Sequence, residues 1–134
     1  KAKGIDHSSA SFADDPANNI AAPGEMGALL GRLCRGEIFN AEISAQMIDM
    51  LRLCVDRRMV PHYLKAGVET AHKIGSSGRI KADVGIVFLP AGPLVIAAFA
   101  LAGRDGVDGA EPIARLTRLA VEALSPQSLK EVQA

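Results

Sequence analysis

Residues 71–87 read Ala71-His72-Lys73-Ile74-Gly75-Ser76-Ser77-Gly78-Arg79-Ile80-Lys81-Ala82-Asp83-Val84-Gly85-Ile86-Val87. Two extended segments are written into this run. Val68 to Ile74 forms the first and ends on a lysine and an isoleucine. Gly75-Ser76-Ser77-Gly78 supplies turn residues. Asp83 to Leu89 forms the second, with Val84, Ile86 and Phe88 alternating against Gly85, Val87 and Leu89. Apolar side chains at both sets of positions imply a sheet covered on both faces. Pro90-Ala91-Gly92-Pro93 is a second turn and Leu94 to Leu101 a third strand, so the last two strands form a hairpin.

Outward from these strands the periodicity changes to helical. Pro23 suits the first position of a helix, where its missing N–H has no partner to lose. Met26, Leu29, Leu30 and Leu33 then recur on one face, and Gly36 ends the helix. Asn40 reads as the N-cap of a second helix that buries Ile43, Met47, Ile48, Met50, Leu51 and Cys54. Asp56 to Gly67 reads as a loop. After a second loop, Gly103 to Gly109, helical spacing returns over Pro112 to Leu124 through Ile113, Leu116, Leu119, Ala120 and Ala123. This helix is expected to cover one sheet face, and the last ten residues to fray. Residues 1–21 are polar and irregular. The order predicts an α+β fold: a helix pair over 22–55, an antiparallel three-strand sheet over 68–102, and a C-terminal helix over 112–124.

Composition narrows the functional classes. The 134 residues suit one domain, and 49% apolar against 22% charged residues is globular composition rather than disorder. Fifteen basic residues balance fifteen acidic ones, so nothing in the charge points to nucleic acid. Aromatics are only 4%, which argues against base-stacking surfaces. The longest apolar run, Leu94 to Ala102, falls short of the roughly 20 residues that cross a bilayer. Cys34 and Cys54 lack metal-ligand spacing and read as buried thiols rather than a disulfide; no metal or cofactor is expected. The chain begins Lys1-Ala2-Lys3 without Met, which reads as a processed product or a fragment.

The lysine strand, its turn and the Asp83-Val84-Gly85 strand resemble the Lys-Thr/Ser-Gly region of serine β-lactamases and penicillin-binding proteins. The resemblance extends from about Ala21 to Leu124. Ala21-Ala22-Pro23-Gly24-Glu25-Met26 is similar to the Thr-Thr-Pro-x-x-Met opening of a family helix. Leu29-Leu30-Gly31-Arg32-Leu33-Cys34-Arg35-Gly36-Glu37 is similar to a helix ending in Arg-Gly-Glu, and Met47-Ile48-Asp49-Met50-Leu51 to the next helix. Ile5-Asp6-His7 and Asn18-Asn19 match the segment around the family's Ω loop more weakly. The resemblance implies the C-terminal half of a class A-like enzyme. It also implies one incomplete domain over 1–134, with three strands that would belong to a larger sheet flanked by an N-terminal half.

In that family the lysine favours the substrate carboxylate and the electron-rich transition state, and the next hydroxyl donates to the carboxylate. Carried over, the substrate-binding residues are Lys73, Ile74, Gly75 and Ser76. Lys73 is the electrostatic residue and Gly75 permits close backbone approach. Ser76 lies beside the oxyanion site, where the family uses a backbone N–H. Ile74 stands where the family has a hydroxyl, and it cannot donate. The chain contains no Ser-x-x-Lys nucleophile pair, no Ser-x-Asn and no Glu-x-x-Leu-Asn. Acyl transfer needs nucleophile, base and oxyanion site together, so this chain alone is not expected to be catalytic.

Two readings follow. In the first the parent is a serine hydrolase of β-lactams or cell-wall peptides, exported from the cytoplasm. In the second the chain is a non-catalytic penicillin-recognising fold that binds or assembles. In both, unpaired strand edges are expected to recruit the missing half or a second copy. The remaining polar features have plainer readings. His72 faces away from Lys73 on the strand and packs. His62 and the Arg57-Arg58 pair are loop residues, and His7-Ser8-Ser9 is a polar turn.

Overall fold

The computed structural model describes residues 20–77, 79–102 and 108–130. The irregular N-terminal segment through Asn19, with His7-Ser8-Ser9 and Asn18-Asn19, lies outside the described residues, as do Gly78 and residues 103–107. The elements are α1 (Pro23–Cys34), α2 (Ala41–Arg52), β1 (Thr70–Ser77), β2 (Ile80–Leu89), β3 (Gly92–Leu101) and α3 (Ala110–Leu124). The sheet is antiparallel in the order β1-β2-β3. The α+β class and element order expected from the sequence are those observed.

Local chemistry sets the helix ends. Pro23 opens α1, and the Glu25 carboxylate accepts from the Ala22 N–H at 2.6 Å. Gly36 stops it with φ +73°, and a Cβ there would sit 3.2 Å from Ala41 Cα, so a side chain is disfavoured twice. Asn40 caps α2 by accepting from the Ile43 N–H at 2.8 Å. Ser44 is buried one turn in; its hydroxyl donates to the Ile38 carbonyl at 2.9 Å and accepts from the Ile38 N–H at 3.2 Å. That pair of bonds ties the link between the helices to α2.

The turn expected over Gly75-Ser76-Ser77-Gly78 is shorter than its composition suggests. β1 continues through Ser77, which pairs with Ile80, while Gly75 pairs with Ala82 and Ser76 with Lys81. Ladder hydrogen bonds come from the backbone, so small and polar residues extend the hairpin as well as apolar ones do.

Strand alternation divides the sheet into two faces. Ala71, Lys73, Val84, Ile86 and Ala97 face α1 and α2. On this side the Arg52 guanidinium lies 4.8 Å from the centre of the Phe88 ring, and Arg52 also pairs with Glu69. Val87, Leu89, Ile96 and Ala98 face the other way, into a cluster with Ala110, Ile113 and Val121 of α3. Met59, Val60 and Leu64 complete that cluster. The stretch read as a loop over Asp56 to Gly67 therefore supplies core, without any periodicity to announce it.

Three further expectations are corrected. On α3 the buried stripe is Ala110, Ile113, Ala114, Thr117 and Val121. Leu116 and Leu119 are 50% and 65% exposed. On α2 only Ser44 is buried, Met50 is exposed, and Cys54 lies beyond the helix end. Residues 125–130 do not fray: a short 3-10 turn over Pro126–Ser128 leads to a bridge between Leu129 and Leu64. Ser125 and Ser128 are buried there, with their hydroxyls 3.1 Å apart.

Candidate active-site edge

Lys73 stands on the α1–α2 face of β1, at the sheet margin. Its ammonium donates to the Ile74 carbonyl at 2.6 Å. Two bonds just outside the ladders fix which backbone groups are free. The Phe88 N–H donates to the Glu69 carbonyl at 3.0 Å, and the Ala102 N–H to the Arg79 carbonyl at 2.9 Å. Antiparallel pairing alternates, so Ala71, Lys73, Gly75 and Ser77 spend their backbone groups on β2. His72, Ile74 and Ser76 turn theirs outward. β1 has no further strand on that side among the described residues.

The edge thus presents the Ser76 N–H, the Ile74 carbonyl and an exposed lysine ammonium in one row. Gly75 is exposed and puts no side chain in the way. The Ser76 hydroxyl accepts from the Lys81 ammonium across the hairpin at 2.5 Å. Ile74 turns its side chain to the α3 face and packs, half-buried, against the main apolar cluster. The sequence puts these four residues together as neighbours. The structure adds that Ile74 contributes its carbonyl, not its side chain, to the edge.

Two grooves flank this row. One, of about 340 Å³, runs between the helices and the sheet and is lined by Met26, Leu30, Leu33, Met47, Lys73 and Val84, among others. Its walls are almost wholly apolar, with Lys73 as the one charged residue in its lining. The other follows the open edge of β1, between His72, Lys73 and Ile74 on one side and Leu53, Val55 and Asp56 on the other. Arg58 holds the Asp56 carboxyl below the usual carboxylate range. Its guanidinium lies 2.6 Å and its backbone N–H 2.9 Å from the Asp56 oxygens.

A buried pair stands behind the row that the sequence reading left unassigned. His72 packs, as its alternation with Lys73 implies, but it does so against a charge. Its Nδ1 lies 2.9 Å from the Asp83 carboxylate, and both side chains are essentially inaccessible. The signal was present in the sequence as Asp83, an acidic residue on a strand otherwise read as apolar. His62 is a loop residue whose ring meets Tyr63 edge-on at 4.6 Å. Cys34 and Cys54 are free and half-buried, and burial pushes the Cys34 thiol up. No group of three metal-ligating side chains occurs among the described residues.

Chemically, the edge can hold an anion at Lys73 and hydrogen-bond an extended backbone or carbonyl at Ser76 and Ile74. Within the row the one serine hydroxyl, that of Ser76, is taken up by the Lys81 ammonium across the hairpin.

No curated protein matches the chain. A β-lactamase from Sphaerobacter thermophilus is 29% identical and superposes with a TM-score of 0.73, covering 79% of this chain and 41% of that one. PBP-A is 26% identical with a TM-score of 0.69, covering 78% and 40%. A class A β-lactamase from Mycobacterium abscessus shares the fold at 22% identity and a TM-score of 0.72, covering 81% and 44%. The chain thus spans about two fifths of the length of each. Residues 2–124 match the description of the beta-lactamase enzyme family, and the chain belongs to that family.

Proposed function

We propose that the chain is the C-terminal part of a serine hydrolase that acylates on a β-lactam or a cell-wall peptide, with the nucleophile carried by an N-terminal half. The observation that carries this reading is the row at the edge of β1. Lys73 offers a cation for the substrate carboxylate, and the Ser76 N–H faces outward for the carbonyl oxygen. The open strand aligns an extended substrate by backbone pairing. In this reading 1–134 is one incomplete domain, and Lys73, Gly75 and Ser76 are its substrate-binding residues. Ile74 contributes only its backbone. A mutant of PBP-A, among the similar structures, is an acyl-enzyme with penicillin G, which supports acyl chemistry in the complete parent. The parent is taken to be exported, as the family resemblance implies. No helix among the described residues is long and apolar enough to cross a membrane.

The apolar groove between the helices and the sheet is where we place the complementary half, since that groove delivers whatever fills it to Lys73. The test adds a complementary N-terminal half to this chain and measures turnover of a chromogenic cephalosporin. Turnover that falls at least 100-fold in Lys73→Ala supports the reading; removing a single transition-state donor typically costs about that much. A folded complex without acylation by penicillin overturns it. One observation favours a second reading, a non-catalytic binding module: Ile74 packs into the core and supplies no hydroxyl for a carboxylate. A complex that binds a β-lactam reversibly, without acylation, is the outcome this second reading expects.

A further inference from the structure

Asp83 and Gly85 take no part in the row described above, yet both close on the residue just before Lys73. Gly85 lies directly across from His72 in the ladder. A Cβ on it would fall 2.3 Å from His72 Cβ and 2.8 Å from the Ala71 carbonyl oxygen, so only glycine lets His72 approach β2 this closely. The Asp83 carboxylate then meets His72 Nδ1 at 2.9 Å and 3.2 Å through its two oxygens. Asp83 Oδ2 also accepts from the Val60 N–H at 2.9 Å. One buried carboxylate therefore ties together β1, β2 and the Met59–Leu64 segment.

The protonation pattern follows from the donors and acceptors. With Oδ2 of Asp83 accepting from the Val60 N–H, Nδ1 of His72 is assigned as the donor toward the carboxylate. His72 Nε2 is buried and has no hydrogen-bond partner. An atom left in that state typically costs about 1–3 kcal/mol. An apolar pair of the same shape would fill the space without that penalty. What the polar pair adds is direction: it fixes the strand at residue 72, the root from which the long, exposed Lys73 side chain extends.

We propose that the Asp83–His72 pair is the positioning device of Lys73, holding the ammonium in a fixed place relative to the outward N–H of Ser76. Asp83 and His72 are positioning residues that act through Lys73, and the functional importance of that placement rests on the hydrolase reading. Gly85 is the clearance that lets the pair form.

The test separates donor from shape. In His72→Asn the side-chain amide nitrogen takes the place of Nδ1. In His72→Phe the ring bulk remains and the donor is gone. The probes are the ring nitrogen resonances of the unsubstituted chain and the resonance of isotopically dimethylated Lys73, with amide exchange confirming that each variant folds. A proton on Nδ1, facing Asp83, is the expected pattern. The Lys73 resonance is expected to shift in His72→Phe and to stay in place in His72→Asn. If His72→Phe does not fold, Asp83→Leu, which removes the acceptor at similar bulk, is judged by the same resonance. A ring protonated on Nε2 alone, or a Lys73 resonance indifferent to loss of the donor in a folded variant, overturns the proposal. These readouts do not depend on turnover, so an inactive reconstituted enzyme in which Lys73 still responds overturns the hydrolase reading alone.

Discussion

Gly85 shows how a single residue carries a fold requirement and a site requirement at once. The backbone of β1 and His72 Cβ occupy the space a methyl would need, and neither is the movable end of a side chain. Gly85→Ala must push β1 away from β2 or drive His72 off Asp83. Overpacking of this kind costs about 1–3 kcal/mol, and a buried carboxylate that loses its partner adds to it. We expect Gly85→Ala to destabilise by about 3 kcal/mol, read from urea unfolding midpoints. A loss below about 0.5 kcal/mol would mean that His72 has room to move. Ile74 offers the opposite case. Ile74→Thr gives up part of a half-buried apolar contact and costs about 1 kcal/mol, and it restores a hydroxyl without returning it to the edge row. If Ile74→Thr in the reconstituted complex sharply improves affinity for a carboxylate-bearing β-lactam, the side chain reaches the substrate after all, and the assignment of residue 74 to the core is wrong.

At the scale of elements, the sequence was most legible where backbone chemistry is local. Pro23, Gly36 and Asn40 mark helix ends by their own geometry, and the structure keeps all three. The strands were legible from alternation, and even Pro93 is consistent: its missing N–H belongs to a position that faces the open edge of β3. What failed was the assignment of faces. Leucines on α3 were read as core because they are apolar, yet the packed stripe consists of Ala114, Thr117 and Val121 beside Ile113. A helix close against a sheet takes small and β-branched residues, so hydrophobicity alone misplaces its buried side. The turn segment before β1 failed differently: Met59, Val60 and Leu64 enter the core one by one, through tertiary contact. Its entrance is held by Asp56, whose carboxyl is kept low by Arg58. A depressed carboxylate contributes stability above its ordinary range, near pH 4, and loses it as the pH falls through the lower folded value. Because Arg58 is largely exposed, solvent screens the pair and keeps its contribution small. Asp56→Asn keeps the acceptor for the Arg58 N–H and drops the charge. Unfolding midpoints at pH 7 and pH 3 should differ less for this variant than for the unsubstituted chain; an equal difference would remove the ion pair from the account.

For the molecule as a whole, one group of exposed apolar residues gathers along α3 and the end of β3. Leu116, Leu119 and Leu124 lie along α3, and Phe99 and Leu101 lie at the end of β3, where a shallow groove joins Ala97–Ala100 to Pro112 and Leu116. β3 itself is ten residues long and, beyond Pro93 near its start, carries no charge, bulge or lysine of the kind by which sheet edges avoid pairing. These surfaces are apolar and uncovered among the described residues. Alone, the chain is expected to self-associate, with sedimentation velocity showing species that grow with concentration. The strand register says how to tell edge pairing from face packing. Val95, Ala97 and Phe99 direct their N–H groups to the open edge, while Ile96 and Ala98 direct theirs to β2. Ala97→Pro removes an edge donor and leaves the β2–β3 ladder whole; Ala98→Pro breaks the ladder. If β3 recruits the second copy, Ala97→Pro shifts the chain to monomer while it stays folded. If the leucines of α3 do so, Leu116→Lys with Leu119→Lys shifts it and Ala97→Pro does not. An unsubstituted chain that stays monomeric across the whole concentration range would show that neither surface is sticky enough to need a partner.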